Sequence, residues 1–223
     1  MENQLRVLST KKLLPNQRQY LLNADFSVIE ADFIQVSNKE FAFENHNDYL
    51  IFTSQNAVES VLQNQNAANY KSVKCFCVGD KTKVLLEQNG FEVIFTSDYS
   101  AELASVICNQ YPKNNFTFFS GSLRRDILPD AMQLAQIKYD EVEVYETTLI
   151  PSKIVSKPDG ILFFSPSAVE SYFKANTITN EMCFCIGNST AAAVEEVTQQ
   201  LIIANKPTVE NVIVQCINYY NKQ

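Results

Sequence analysis

The chain has 223 residues, 46% hydrophobic and 19% charged, which is globular composition with enough length for one large or two small domains. No apolar run approaches the ~20 residues that span a bilayer, and Arg6, Lys11 and Lys12 interrupt any signal-peptide core, so a cytoplasmic protein without membrane association is expected. A formal net charge of −7 argues against a dedicated nucleic-acid binder, and six cysteines without a secretion signal are expected to stay reduced.

In chain order, Arg6-Val-Leu-Ser-Thr-Lys-Lys reads as a strand that ends in Ser-Thr and runs into basic residues. Residues 27–36 are expected to be strand-like. Strands at 49–53, 73–78 and 92–96 each precede a helical pattern. In the first of those helices Ala57, Val58, Val61 and Leu62 share one apolar face. A strand at 116–120 and a helix at 125–136 follow. At 141–148, Val142 and Val144 alternate with Glu141, Glu143 and Tyr145, the period of two of an amphipathic strand. Strands at 160–164, 182–186 and 201–204 complete the series.

Two blocks recur. Ile51-Phe-Thr-Ser-Gln-Asn-Ala-Val-Glu-Ser60 resembles Leu162-Phe-Phe-Ser-Pro-Ser-Ala-Val-Glu-Ser171 at an offset of 111. Cys75-Phe-Cys-Val-Gly-Asp-Lys-Thr82 pairs with Cys183-Phe-Cys-Ile-Gly-Asn-Ser-Thr190 at an offset of 108, and the register holds through Glu87/Glu195, Ile94/Ile202 and Cys108/Cys216. Such matches define a duplication. Alternating strands and helices imply parallel sheets covered on both faces. The second copy lacks room for a counterpart of 116–136, and the N-terminal strand supplies one. The expected fold is therefore two similar doubly wound α/β lobes of flavodoxin-like topology. One is discontinuous (1–30 with 149–223), the other inserted (38–138), and a two-stranded β linker (31–37 and 139–148) joins them.

The lone histidine, His46, has no nucleophile motif beside it and reads as a loop residue. The C-x-C pairs 75/77 and 183/185 fall in different lobes, so small buried thiols are expected rather than a zinc site. Only 5 glycines and no phosphate-loop pattern are present. What recurs is a strand ending in Ser, Thr or Gly that feeds a helix: Ser9-Thr10, Thr53-Ser54, Gly79 to Thr82, Ser120-Gly121-Ser122, Ser165-Pro166-Ser167 and Gly187 to Thr190. Each turn can simply cap its helix. All of them would also lie at the carboxyl edge of a parallel sheet, where ligands bind and helix N-termini favour anions. Lys11, Lys12, Lys81, Lys83, Arg124 and Arg125 stand in or beside these turns. A polyanionic ligand in the cleft between the lobes is the expectation.

Five segments, in order and covering nearly the whole chain, are similar to uroporphyrinogen-III synthases. They are Leu50-Ile-Phe-Thr-Ser-x-x-Ala-Val-Glu, Gly121-x-Leu-Arg-Arg-Asp-Ile-Leu-Pro129, Val142-x-Val-Tyr-Glu-Thr147, Phe163-Phe-Ser-Pro-Ser-Ala-Val169 and Ile186-Gly-x-x-Thr-Ala191. The resemblance implies a lyase that closes hydroxymethylbilane, a linear tetrapyrrole with carboxylate side chains, into uroporphyrinogen III with ring D inverted and water lost. It implies no metal or organic cofactor, no partner besides the substrate, and a monomer. Tyr145 matches the family's tyrosine, the candidate acid for the departing hydroxyl. Substrate contacts are expected from Thr53, Ser54, Thr82, Ser120, Gly121, Ser122, Ser165, Ser167, Ser189 and Thr190. Asn56 stands where many members carry arginine, so one carboxylate contact is either missing or supplied by another residue. A non-catalytic two-lobed binder of an anion and a GT-B-like transferase are the alternatives.

Overall fold

The computed structural model describes residues 4–42, 44 and 47–222, so His46 lies outside the described residues. The chain divides into two compact units, Met1–Gln35 with Thr148–Gln223 and Val36–Thr147. It starts with β1 (Arg6–Ser9), α1 (Pro15–Asn23) and β2 (Ser27–Glu30) of the first unit. Then come β3 (Ile34–Asn38), β4 (Tyr49–Phe52), α2 (Gln55–Gln63), α3 (Ala67–Tyr70), β5 (Lys74–Val78), α4 (Asp80–Gln88) and β6 (Val93–Ser97). After α5 (Ser100–Gln110), β7 (Asn115–Gly121), α6 (Ile127–Leu134) and β8 (Lys138–Leu149), the chain returns to the first unit. There β9 (Gly160–Phe163), α7 (Pro166–Phe173), β10 (Met182–Cys185), α8 (Asn188–Glu195), β11 (Leu201–Ile203) and α9 (Val209–Tyr220) follow.

The first unit's sheet has the order β11-β10-β9-β1-β2, and the second unit's has β3-β8-β7-β4-β5-β6. Every ladder within β11 to β2, and from β8 to β6, is parallel. The first order is the flavodoxin-like 2-1-3-4-5. The second is the same arrangement circularly permuted, with β7 and β8 taking the places of β1 and β2. Parallel strands bury both faces, and the alternation is plain in β4. Leu50 and Phe52 pack with Ala57, Val58 and Val61 of α2, whereas Ile51 packs with Leu103 and Ile107 of α5. In the first unit Ile161 and Phe163 face α7 and α8, while Val7 and Leu162 face Leu21 and α9. The duplicated helices start alike, since Ser54 and Ser165 accept the amide N–H of Ala57 and Ala168.

The stretch 27–36 is two strands rather than one. Ser27–Glu30 pairs in parallel with β1, whereas Ile34–Asn38 lies beside β8. The break between them arises because Phe33 turns into the first unit's core, fully buried, while Asp32 accepts the Lys12 N–H at 2.8 Å. The segment 139–148 is also more than a connector. From Lys138 to Tyr145, β8 pairs in parallel with β7 as a regular strand of the six-stranded sheet.

The cysteines are free thiols, five buried and Cys108 partly exposed, with each C-x-C pair inside its own unit's core. Burial pushes the Cys183 and Cys185 thiols up to about 12, so both stay protonated at pH 8. An aromatic disulfide reagent is therefore expected to titrate Cys108 alone in the native protein and all six thiols in guanidinium. Rapid native reaction at more than one site would place these strands at the surface.

Candidate active site

Doubly wound sheets bind ligands at the carboxyl edge where the strand order reverses. In the second unit that point lies between β7 and β4. It is framed by Thr53-Ser54 after β4 and Ser120-Gly121-Ser122 at the end of β7.

Tyr145 reaches this point because β8 carries a bulge. Its register with β7 runs evenly to Ser120↔Glu143 and then slips, so that Gly121 faces Tyr145. The slip breaks the period of two. Tyr145 packs on the same core cluster as Val142 and Val144, not on the opposite face that plain alternation predicts. Its ring then lies directly on Gly121, where an added Cβ would meet ring carbons at 2.2, 2.3 and 2.7 Å. Gly121 thus serves as the seat of the phenol. The phenolic oxygen accepts a hydrogen bond from Ser54 Oγ at 3.0 Å. The neighbouring backbone is tied as well, with Ser122 N–H donating to Tyr145 O at 3.1 Å and Thr147 N–H to Ser122 Oγ at 3.0 Å.

The remaining expected residues divide. Thr53, Ser54 and Ser122 border the phenol and are partly exposed, but Ser120 beneath them is only 2% exposed, which puts its hydroxyl out of a ligand's reach. One strand further on, Thr82 lies in the first turn of α4, largely buried. Ser165, Ser167, Ser189 and Thr190 belong to the first unit. Ser165 and Ser167 share a hydrogen bond of 3.0 Å at the start of α7. Ser189 is partly exposed in the first turn of α8, and Thr190 is buried.

The first unit's counterpart of the phenol site is closed by its own acids. Asp32 Oδ1 takes the Lys12 N–H, Glu30 Oε1 takes the Leu13 N–H at 2.7 Å, and the Thr10 hydroxyl donates to Leu162 O at 2.7 Å. This corrects the expectation of an anion rim at Ser9-Thr10, since carboxylates already occupy those amides and would repel a third. Lys11 sits 5.9 Å from the centroid of the Phe164 ring instead.

The cations of the second unit also separate into committed and uncommitted. Arg124 is held by Glu141 and Asp126, which keep its pKa above the usual arginine value. Lys83 pairs loosely with Glu87 at 3.9 Å. Arg125, by contrast, has neither an ion pair nor a hydrogen bond among the described residues, and partial burial alone lowers its pKa. Asp126 is a local partner two residues along the chain, but Glu141 could not be assigned from the sequence pattern, because it meets Arg124 only once β7 and β8 are aligned. Among the described residues no three His, Cys, Asp or Glu side chains group closely enough to hold a metal ion, and no helix is long and apolar enough to cross a membrane.

Fold and edge together define a duplicated, doubly wound α/β protein with a hydrogen-bonded phenol at a strand-order switch point. The model of the family described as uroporphyrinogen-III synthase HemD matches residues 18–213, and the chain belongs to that family. It is 24% identical over 193 residues to the porphyrin biosynthesis protein HemD of Ruminiclostridium josui, covering 77% of this chain and 38% of that protein. It is 29% identical over 133 residues to the uroporphyrinogen-III synthase of Saccharomyces cerevisiae, covering 52% of this chain and 48% of that one. The matches thus span less than half the length of either relative. In fold it is similar to the uroporphyrinogen-III synthetase of Helicobacter pylori, with a TM-score of 0.73, 17% identity, and 96% of this chain and 99% of that one covered. A mutant uroporphyrinogen III synthase of Thermus thermophilus gives a TM-score of 0.70 at 12% identity, with 98% and 100% covered.

Proposed function

We propose that this chain converts hydroxymethylbilane to uroporphyrinogen III and water, inverting ring D. The observation that carries this reading is the phenol of Tyr145, seated on Gly121 and held by Ser54 at the second unit's switch point. The substrate's terminal hydroxyl leaves as water once it receives the phenolic proton. The electron-rich pyrrole behind it stabilises the resulting cation, so the protein has little bond-breaking to assist. Its larger task is orientation. Ring D must meet that cation at its substituted carbon, giving a spiro intermediate that reopens and closes in the inverted sense. The last ring closure releases a pyrrole proton, which returns the phenolate to phenol.

Carboxylate contacts are assigned to Thr53 and Ser122 at the phenol and to the turns of Thr82, Ser165, Ser167, Ser189 and Thr190. Arg125 supplies the charge that Asn56 lacks, because it is the rim arginine not already neutralised. Arg125→Gln is expected to raise KM about tenfold with kcat nearly unchanged, the size of one charge-assisted hydrogen bond. Unchanged KM would return Arg125 to the solvated surface.

The test of the function itself is direct. The protein is incubated with hydroxymethylbilane, the products are oxidised, and the porphyrin isomers are separated. Isomer III in excess over the spontaneous isomer I is the expected result. Isomer I alone, formed at the uncatalysed rate, would refute the reading.

A further inference from the structure

The two copies of the strand–Ser–helix turn have the same cap and different second partners. Ser165 Oγ accepts the Ala168 N–H at 3.1 Å and meets Ser167 Oγ at 3.0 Å. Ser54 Oγ accepts the Ala57 N–H at 3.2 Å and meets Tyr145 Oη at 3.0 Å. Capping a helix therefore does not require a phenol, because the duplicate does without one. The Ser54–Tyr145 contact is an addition peculiar to the unit that carries the switch-point tyrosine.

The two hydrogen bonds of Ser54 have a direction. A backbone amide can only donate, so Ser54 Oγ accepts from Ala57 with one lone pair and keeps its own proton, and in its contact with the phenol Ser54 is the donor. That proton goes to Tyr145 Oη, which fills an acceptor position on the phenol. The phenol's proton then has to point elsewhere, and no described protein group accepts it. The result is a head-to-tail series from Ala57 N–H to the Ser54 hydroxyl to the Tyr145 hydroxyl. It begins at the positive N-terminal end of the nine-residue α2 and ends at the open edge. Hydrogen bonds in such a series polarise one another in the donating sense.

We infer that Ser54 is a positioning residue, resting on the function proposed above. It acts through Tyr145, fixing the phenolic proton outward toward the departing hydroxyl and stabilising the phenolate left behind, and it does not itself hold a substrate carboxylate. This replaces the substrate contact expected of Ser54 from its sequence.

Three substitutions separate the roles. Ser54→Ala removes both hydrogen bonds. Ser54→Thr keeps both. Ser54→Asp keeps the cap but can only accept, so it would draw the phenolic proton inward. Ser54→Ala should lower kcat for isomer III about tenfold, the worth of one neutral hydrogen bond at the upper end, with KM little changed. Ser54→Thr should restore most of that loss. Ser54→Asp should melt no lower than the parent, yet lose kcat toward the level of Tyr145→Phe. In the Tyr145→Phe background neither Ala nor Asp should cost anything further. Equal losses in both backgrounds would mean that Ser54 works through the helix or by charge, and a loss confined to KM would make it a substrate ligand. Either result overturns the inference.

A readout without substrate keeps this test apart from that of the function. In protein labelled at the tyrosine ζ-carbons, the Tyr145 resonance is assigned as the one missing in Tyr145→Phe. It should move in Ser54→Ala and move in the opposite sense in Ser54→Asp, where the phenol becomes the donor. A resonance that stays in place in both variants refutes the hydrogen-bond direction whatever the activity. A parent that makes no isomer III, with the resonance moving as expected, refutes the function alone.

Discussion

Tyr145→Phe is expected to lower the rate of isomer III formation about 10²–10⁴-fold, the usual worth of a positioned general acid. The substitution removes one oxygen and leaves the ring on Gly121, so the bulge of β8 and the core beneath it should persist. Binding should change little, because the carboxylate contacts lie elsewhere on the rim. Substrate that escapes turnover cyclises in solution, and the product mixture should shift toward isomer I. Initial rate and isomer ratio at saturating substrate measure both effects. Parental rate and ratio would make the tyrosine a packing residue and leave orientation to carry the reaction.

Gly121→Ala is expected to be nearly as damaging to activity and to cost stability besides. The new methyl would stand 2.2–2.7 Å from three carbons of the Tyr145 ring. Carbon atoms settle at about 3.5–4.0 Å, so the ring must retreat by roughly 1 Å or more. A 3.0 Å hydrogen bond to Ser54 does not survive that displacement. Turnover should fall to within about tenfold of the Tyr145→Phe level, and overpacking should cost ~1–3 kcal/mol, read from denaturant melts. The same glycine substitution made in Tyr145→Ala should cost no further stability, since the ring it strikes is gone. An additional loss there of the same size would locate the strain in the backbone and not in the phenol.

The sheets were legible because a duplicated sequence tests each strand twice. The 111- and 108-residue offsets placed β4 against β9 and β5 against β10, and the permutation followed from one missing strand–helix unit. What resisted reading depended on neighbours distant in sequence. Periodicity put Tyr145 on the face away from Val142 and Val144, and only the slip against β7 reverses it. The Ser-Thr turn after β1 looked like its counterpart after β7 until Glu30 and Asp32 came round to cover its amides. Ser120, Thr82 and Thr190 have the residue types of a binding edge, but their side chains are buried, which residue type alone does not reveal. Residue type and local order carried the architecture. Side-chain commitments needed the fold.

The order in which the ribosome delivers this chain follows from the insertion. In the first unit Leu8 pairs with Ile161, so β1 has no inner neighbour until more than 150 further residues have been made. The second unit, Val36–Thr147, is contiguous and finds all its parallel partners within itself. It can therefore collapse while the first unit is still only β1, α1 and β2. Once folded, it shortens the effective loop that β1 and β9 must close, and that closure costs less entropy than an open chain of the same length would demand. A nascent chain stalled before residue 160 would accordingly expose Val7, Leu8 and Phe33, three side chains with no core to enter, beside an inserted unit already complete.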